Sequence, residues 1–387
     1  MRLLTLGLIS AGLLLYTGCR KEDSSPDAAE DNCNVQRALS DGDPIPGQYI
    51  VVYKSGPGLR SPSAQAVEQA GRDILAENRI SATAMQRSFG GEIGGFVARL
   101  SPAEAQRLAD DAAVQTVEQD RIIALNTCFT VVAPTLITWN INKVGYGDGR
   151  GKTAWIIDSG IDFDHPDLKV DVTRSKSFLG GETTADDENG HGTHVAGIIG
   201  ALNNNFGVLG VASGANLVSL RVLDKEGVGK LSSVIQALSY INANAKAGDV
   251  VNMSIGEEET SATLDQQVQL TASKGILITI AAGNDGKAAN LYSPGRANAS
   301  NIYTVSAVDS LDNFASFSNF GNDVVDYAAP GVRILSTYKD GKYARMSGTS
   351  MAAPHVAGLL LLNGRNLRSV TTANNDPDGT PDRIALK

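Results

Sequence analysis

Three short segments carry a carboxylate, an imidazole and a hydroxyl, the groups that one proton relay to a nucleophile requires. Asp158 ends the run Ile156-Ile157-Asp158-Ser159-Gly160. A carboxylate at the end of a buried strand can orient a neighbouring imidazole and stabilise its charged form, although an Asp in that place is also a common turn former. His191 stands in Asn189-Gly190-His191-Gly192-Thr193-His194-Val195-Ala196-Gly197, with a glycine on each side that lets the backbone bend around it. His191 and His194 lie three apart and would also suit a metal pair. The motif holds no Glu and no third ligand follows it, so His191 reads as the base and His194 as a side chain packed on its helix. Ser350 in Ser347-Gly348-Thr349-Ser350-Met351-Ala352-Ala353-Pro354-His355 opens an apolar helix, with Pro354 near the first turn. A helix N-terminus offers unpaired N–H groups and a positive dipole end, which suits a nucleophile whose substrate oxygen turns negative. Alone, such a Ser could be no more than an N-cap.

These side chains need rigid elements to hold them. Residues 153–157, 217–223, 250–254 and 276–281 are short apolar runs suited to strands buried on both faces. Between the second and third runs, Leu231, Val234, Ile235, Leu238 and Ile241 form one helical stripe, and a second helix over 264–273 stops at Gly275. The alternation predicts an α/β fold, a parallel sheet flanked by helices, with sites at the carboxyl ends of the strands. Ahead of it, residues 48–126 read as a small α+β unit. It has strands over 49–53, 94–100 and 114–118, a helix over 62–79, and a second helix opened by the capping box Ser101-Pro102-Ala103-Glu104. That order suggests a ferredoxin-like unit.

The order Asp158, His191, Ser350 and the residues around each resemble the subtilisin-like serine proteases over about residues 139–366, and within them the proteinase K group. Trp139-Asn140-Ile141, Ser316-Phe317-Ser318-Asn319-Phe320-Gly321 and Ala329-Pro330-Gly331 fit the same pattern. The resemblance implies a serine endopeptidase working through an acyl-enzyme on polypeptide substrates, as a monomer and with no organic cofactor. It implies that the Asn284 side chain and the Ser350 backbone N–H donate to the oxyanion. Substrate would lie as an added strand between Gly227-Val228-Gly229 and Ser254-Ile255-Gly256, the second segment lining the pocket for the residue before the scissile bond. The family has small residues after Gly256, whereas this chain has Glu257, Glu258 and Glu259. That is either a solvated loop or a bias toward basic substrate residues. Structural calcium is implied at the Asp326 carboxylate with the carbonyls of Ser300 and Ile302, although the local loop differs from the family by one residue. Residues 376–382 resemble a fragment of a calcium loop without its terminal Glu and read as a polar tail.

Residues 48–126, from Tyr49-Ile50-Val51-Val52 to Val117-Glu118-Gln119-Asp120, resemble the inhibitory propeptide of these proteases. It would template folding, block the active site and be cut off by the enzyme itself between residues 125 and 135. Two rival readings remain: a catalytically silent binding module on the same fold, and a surface lipoprotein whose protease serves only its own maturation. The first predicts a damaged site, and Asp158, His191, Asn284 and Ser350 are all present.

The amino terminus is a targeting segment. Arg2 precedes an apolar run over residues 3–16, too short to span a membrane. Tyr16-Thr17-Gly18-Cys19 resembles a lipoprotein signal in which Cys19 is lipidated, anchoring an exported protein to the cell envelope or outer membrane; an ordinary secretory signal is the alternative. Arg20, Lys21, Glu22 and Asp23 resemble a surface-export signal or form a solvated linker. The expected organisation is a signal over 1–18, a tether over 19–47, the inhibitor domain over 48–126 and the peptidase domain over 127–387. Cys33 and Cys128 flank the inhibitor domain, and a disulfide between them would keep a cleaved protease tethered, provided the cut falls before Cys128. The composition agrees with these readings. The 387 residues are 42% apolar, with 41 Gly, and carry 33 basic and 42 acidic side chains for a net charge of −9. Such a chain is no non-specific nucleic-acid binder. Three Cys exclude a disulfide-dense scaffold and four His leave little room for His-rich metal sites.

Overall fold

The four apolar runs become neighbouring strands because each can bury both faces at once. The structure, a computed structural model, describes residues 42–54, 64–90, 93–124, 128–131, 136–180, 184–256 and 258–387. The leader, Cys19, Cys33, Glu257 and residues 125–127 lie outside them.

The first part of the chain folds as β1 (Pro44–Tyr53), α1 (Ala64–Glu77), β2 (Met85–Phe89), β3 (Gly95–Arg99), α2 (Pro102–Ala109) and β4 (Val114–Ala124). The four strands make an antiparallel sheet in the order β4-β1-β3-β2, which is the ferredoxin-like arrangement. The expected capping box is present: the Ser101 hydroxyl accepts from Glu104 N–H, and the Glu104 carboxylate accepts from Ser101 N–H. The sequence reading missed β2, whose five residues are mostly half-exposed and show no apolar run. It also ended β4 at 118, six residues short of Ala124.

The remainder runs β5 (Cys128–Val131), α3 (Trp139–Val144), β6 (Gly147–Asp148), β7 (Thr153–Asp158), β8 (Lys176–Ser177), α4 (His191–Gly200), β9 (Ala212–Ser213), β10 (Asn216–Arg221), β11 (Val228–Lys230), α5 (Leu231–Asn244), β12 (Val250–Met253), α6 (Ala262–Ser273), β13 (Leu277–Ala281), β14 (Ile302–Val308), β15 (Val325–Pro330), β16 (Ile334–Tyr338), β17 (Lys342–Ser347) and α7 (Thr349–Asn363). Seven strands form one parallel sheet in the order β15-β14-β13-β12-β7-β10-β8. Its two faces bury two separate cores. Ala154 and Ile156 of β7 face α4 and α7, while Trp155 and Ile157 face α5 and α6. Alternation along one strand thus serves both helix layers, as predicted for an α/β sheet with helices on both faces.

α7 is buried nearly throughout, which an all-apolar helix requires. Pro354 lies inside the helix, just past its first turn, and so removes the N–H that would pair with the Ser350 carbonyl. That carbonyl is satisfied from outside, by the Ser254 hydroxyl at 2.8 Å. The C-terminal residues are not a loose polar tail. Bridges Ala328↔Ile384, Thr372↔Arg383 and Arg368↔Leu386 sew them to the domain. Asp382 is 4% exposed and takes a 2.5 Å bond from the Ser306 hydroxyl.

Candidate functional site

Adjacent parallel strands β7, β12 and β13 deliver Asp158, Ser254 and Asn284 side by side at their carboxyl ends, where an α/β sheet places its sites. The helices of the opposite layer bring the other two groups. His191 starts α4, and Ser350 is the second residue of α7. Asp158 and His191 meet directly, Oδ1 to Nδ1 at 2.8 Å, with both side chains essentially inaccessible to solvent. The close approach depends on Gly192, where a Cβ would overlap the Gly160 carbonyl and press on Asp158. His191 Nε2 is buried and bonded to nothing among the described residues. The Ser350 hydroxyl is not bonded to His191 either: it donates to the Ser254 carbonyl at 3.1 Å. Ser254 and Ser350 therefore hold each other reciprocally, hydroxyl to carbonyl in both directions.

Asn284 is fixed by its oxygen. Its Oδ1 accepts from Thr349 N–H at 2.7 Å and from the Thr349 hydroxyl at 3.0 Å, which leaves Nδ2 for the cleft that Asn284 and Ser350 line together. The loop before it turns at Gly283, φ +107°, where a side chain would strike Asn319. Asn319 in turn accepts from Asp285 N–H and Lys287 N–H and donates to the Ala282 carbonyl, bracing the loop from behind.

Two supporting groups were not legible in the sequence. Asp187 accepts five hydrogen bonds, from Ser159 Oγ, Asn189 N, Gly190 N, Thr193 N and Thr193 Oγ1, and so organises the first turn of α4 around His191. The only signal was an acid just ahead of Asn189-Gly190-His191, where a carboxylate suits a helix N-terminus. Asn252 donates to the Ser254 hydroxyl and accepts from Thr279, a buried polar chain running under the cleft. The other histidines bond elsewhere. His194 Nε2 meets the carbonyls of Ile334 and Ala344, and burial holds its pKa down at about 3. His355 bonds Met351 O and Asn140, with burial holding it at about 4. His165 meets Lys342 O and Asp167 N.

The cleft is lined by Ser254, Ile255 and Gly256 on one side and by Ala281–Asp285 with Tyr292 and Gly295 on the other. β11 forms a further edge, and the chain's own β4 already lies on it, antiparallel, with Ala124 opposite Val228, Ile123 opposite Gly229 and Ile122 opposite Lys230. Gly227 sits in the turn before that edge, at φ +73°. Ala124 itself reaches the cleft that holds Ser350. On the far side of residues 125–127 the chain pairs again, with Cys128 opposite Ser347 of β17. Glu258 and Glu259 are exposed, and Glu258 forms an ion pair with Lys287, as a solvated loop would.

The first domain grips the second by more than this strand. Ile50, Val52, Phe89, Val97 and Ile123 join the same core as α5 and α6. Asp120 accepts from Ser232 N–H at 3.0 Å and the Ser232 hydroxyl at 2.6 Å, in the first turn of α5. Glu118 accepts from the hydroxyl of Ser261, the N-cap of α6, at 2.5 Å. Burial raises the Glu118 pKa above the ordinary carboxylate range. α5 has Lys230 at its own N-cap and no side-chain bond there, so Asp120 performs that role from the other domain.

Asp326 is the one carboxylate of the expected calcium set. Its Oδ2 accepts from Thr304 N–H at 2.9 Å, and burial raises its pKa to about 6. Ile302 begins the adjacent strand β14, two residues before Thr304, and Ser300 precedes it. A carboxylate together with the backbone carbonyls of Ser300 and Ile302 would make an all-oxygen set of the kind calcium takes. Among the described residues no cluster of three or more His, Cys, Asp or Glu side chains could hold a metal.

Comparison with known proteins agrees with this geometry. The subtilase family pattern matches residues 149–372, and the peptidase inhibitor I9 pattern matches residues 48–126. Alkaline serine exoprotease A of Vibrio alginolyticus is 35% identical over 88% of this chain, which spans 66% of that protein, just under two thirds of its length. The thermostable alkaline protease of Halalkalibacterium halodurans is 36% identical over 79% of this chain and 84% of its own length. Subtilisin E of Bacillus subtilis is 37% identical over 81% and 79% respectively. The crystal structure of a cold-adapted subtilisin-like serine proteinase superposes with a TM-score of 0.58 at 34% identity, covering 65% of this chain and 98% of that one. The chain belongs to the subtilase family of serine endopeptidases and carries a peptidase inhibitor I9 domain ahead of its protease domain.

Proposed function

We propose that Ser350, His191 and Asp158 are the nucleophile, base and orienting acid of an exported endopeptidase held as a zymogen by residues 48–126. The observation that carries this is the buried Asp158–His191 bond in a site beside which the chain's own backbone pairs twice, up to Ala124 on β11 and from Cys128 on β17. Ser350 Oγ, released from the Ser254 carbonyl, would turn to His191 Nε2, which has no partner among the described residues and would take its proton as Oγ attacks a peptide carbonyl. Asp158 holds the Nδ1–H tautomer and stabilises the imidazolium, which then protonates the leaving amine. The oxyanion meets Asn284 Nδ2 and the Ser350 N–H, an unpaired donor of the first turn of α7. Water, activated by the same imidazole, then releases the acyl group.

Gly227–Gly229 and Ser254–Gly256 would hold the substrate strand between them, as β4 is held on β11. Calcium, where bound, would be held by Asp326 and the carbonyls of Ser300 and Ile302, and would stabilise the β14–β15 end of the sheet. Self-processing falls on the amino side of Cys128, because Cys128 already belongs to the ladder beyond the site. Cys128 then stays with the protease, which meets the condition for a disulfide to Cys33 that ties the cut enzyme to a lipid on Cys19.

Full-length Ser350→Ala tests the reading. It should neither digest casein nor release residues 48–126, whereas the parent does both. Complete processing of the purified variant would refute self-cleavage by Ser350. A propeptide that stays with the processed enzyme on non-reducing gels, and leaves on reduction, is the expected sign of the tether.

A further inference from the structure

We infer that Arg345, on the edge of β17 along which the chain's own β5 lies, favours an acidic residue on the leaving side of polypeptide substrates. The inference rests on the protease reading above.

β17 has β16 on one side and β5 on the other. The β5 pairing is antiparallel and continuous over four positions: Cys128↔Ser347, Phe129↔Met346, Thr130↔Arg345 and Val131↔Ala344. Ser347 is three residues before Ser350, so this ladder starts three residues from the nucleophile and runs away from it along the chain. The zymogen chain is therefore held as a strand on both sides of the bond to be cut, by β11 before it and by β17 after it. Cleavage frees β5 from its covalent tie to β4, and a β5 that departs leaves the N–H and C=O groups of β17 unpaired. An unpaired strand edge is a ready template for another extended chain. The occupant that fits is the polypeptide already anchored in the cleft, since its direction is the direction of β5.

Side chains of directly opposed residues stand on the same face of the sheet about 5 Å apart. The substrate residue in the register position of Thr130 thus lies against Arg345. Arg345 is exposed, and it has no ion pair or side-chain hydrogen bond among the described residues. Lys342, the other cation of the strand, is paired with Asp340. A free guanidinium opposite one register position favours a carboxylate there and disfavours an ammonium.

The test uses the mature enzyme and synthetic peptides of the chain's own residues 118–134, carrying Cys128→Ser to prevent oxidation. A first series ends at 128, 131 or 134 with the amino side unchanged. The value of kcat/KM should rise about ten-fold between the peptide ending at 128 and the one ending at 131, as the backbone bonds of the ladder become available. A second series compares Thr130→Asp and Thr130→Lys with the parent peptide. Asp should be preferred over Lys by about five-fold at low salt, Arg345→Glu should reverse that order, and salt should erase the difference without touching the length effect. A flat length series in enzyme that digests casein would overturn the inference while leaving the protease reading intact. That is the result expected if β5 stays on β17 after the cut. An Asp-over-Lys preference unchanged in Arg345→Glu would remove Arg345 from the specificity. An enzyme that cuts neither casein nor the peptides fails the protease reading itself.

Discussion

Asp120 offers the sharpest test of how the inhibitor domain holds the protease. Its side chain is fully buried and accepts from Ser232 N–H, the Ser232 hydroxyl and Gln48 Nε2, at 3.0, 2.6 and 2.5 Å. Two of these bonds cross to α5, whose own N-cap has no side-chain bond. Hydrogen bonds to a charged group contribute about 1.5–3 kcal/mol each, and a lost N-cap costs about 0.5–2 kcal/mol. The terms overlap, so Asp120→Ala should weaken the cut complex by about 3 kcal/mol, roughly a hundred-fold in dissociation. The assay is the lag before freshly processed enzyme cleaves a chromogenic peptide, because activity appears only as residues 48–126 leave. The lag should shorten by about two orders of magnitude, and by about one in Asp120→Asn, which keeps an acceptor oxygen without the charge. A lag within two-fold of the parent would refute the argument. So would an equal effect of Gln48→Ala, because the internal bond to Gln48 would then account for the loss.

Other outcomes follow from the same contacts. Glu118 has its pKa raised by burial in the complex, so its contribution to binding is complete below the free-carboxylate value and is lost as pH rises through the bound value. Dissociation followed by size exclusion from about pH 4 to about pH 8 should speed up with pH in the parent and stay flat in Glu118→Gln. Asn284→Leu should lower kcat by about 10²–10³ with little change in KM, the loss known for one oxyanion donor in subtilisin itself; an unchanged kcat would exclude Asn284 from the oxyanion site. Asp382, raised to about 7 by burial, stabilises the C-terminal segment below the normal Asp range and loses that contribution as pH passes about 7. Melting temperatures should therefore fall across that window in the parent and not in Asp382→Asn. Calcium at 100 times its dissociation constant should stabilise the parent by about 2.7 kcal/mol, and this gain should vanish in Asp326→Ala. Equal calcium dependence in the two proteins would remove Asp326 as a ligand.

The sequence by itself determined the parts whose signal is local. Apolar runs of strand length flanked by helical stripes specified a parallel sheet with helices on both faces, because such runs can be satisfied only by burial on both sides. The order of Asp158, His191 and Ser350, with the residues around each, carried the resemblance to the subtilisin-like proteases because turn geometry is written in adjacent glycines and small residues. The capping box at Ser101 was readable for the same reason. Tertiary structure alone decided what depends on partners far along the chain. β4 runs on to Ala124 because β11, more than a hundred residues later, supplies its partner. Asp187 and Asn252 became part of the site only when folding gathered their acceptors and donors around them. Pro354 could sit inside α7 because Ser254, from a different strand, satisfies the carbonyl it orphans. The C-terminal acids read as a solvated tail because nothing near them in sequence announces burial. Asp382 is buried because Ser306, 76 residues earlier, meets it. Hydrogen-bond satisfaction in a buried site is a property of the whole fold, which is why a motif reveals the reacting groups more readily than the groups that hold them.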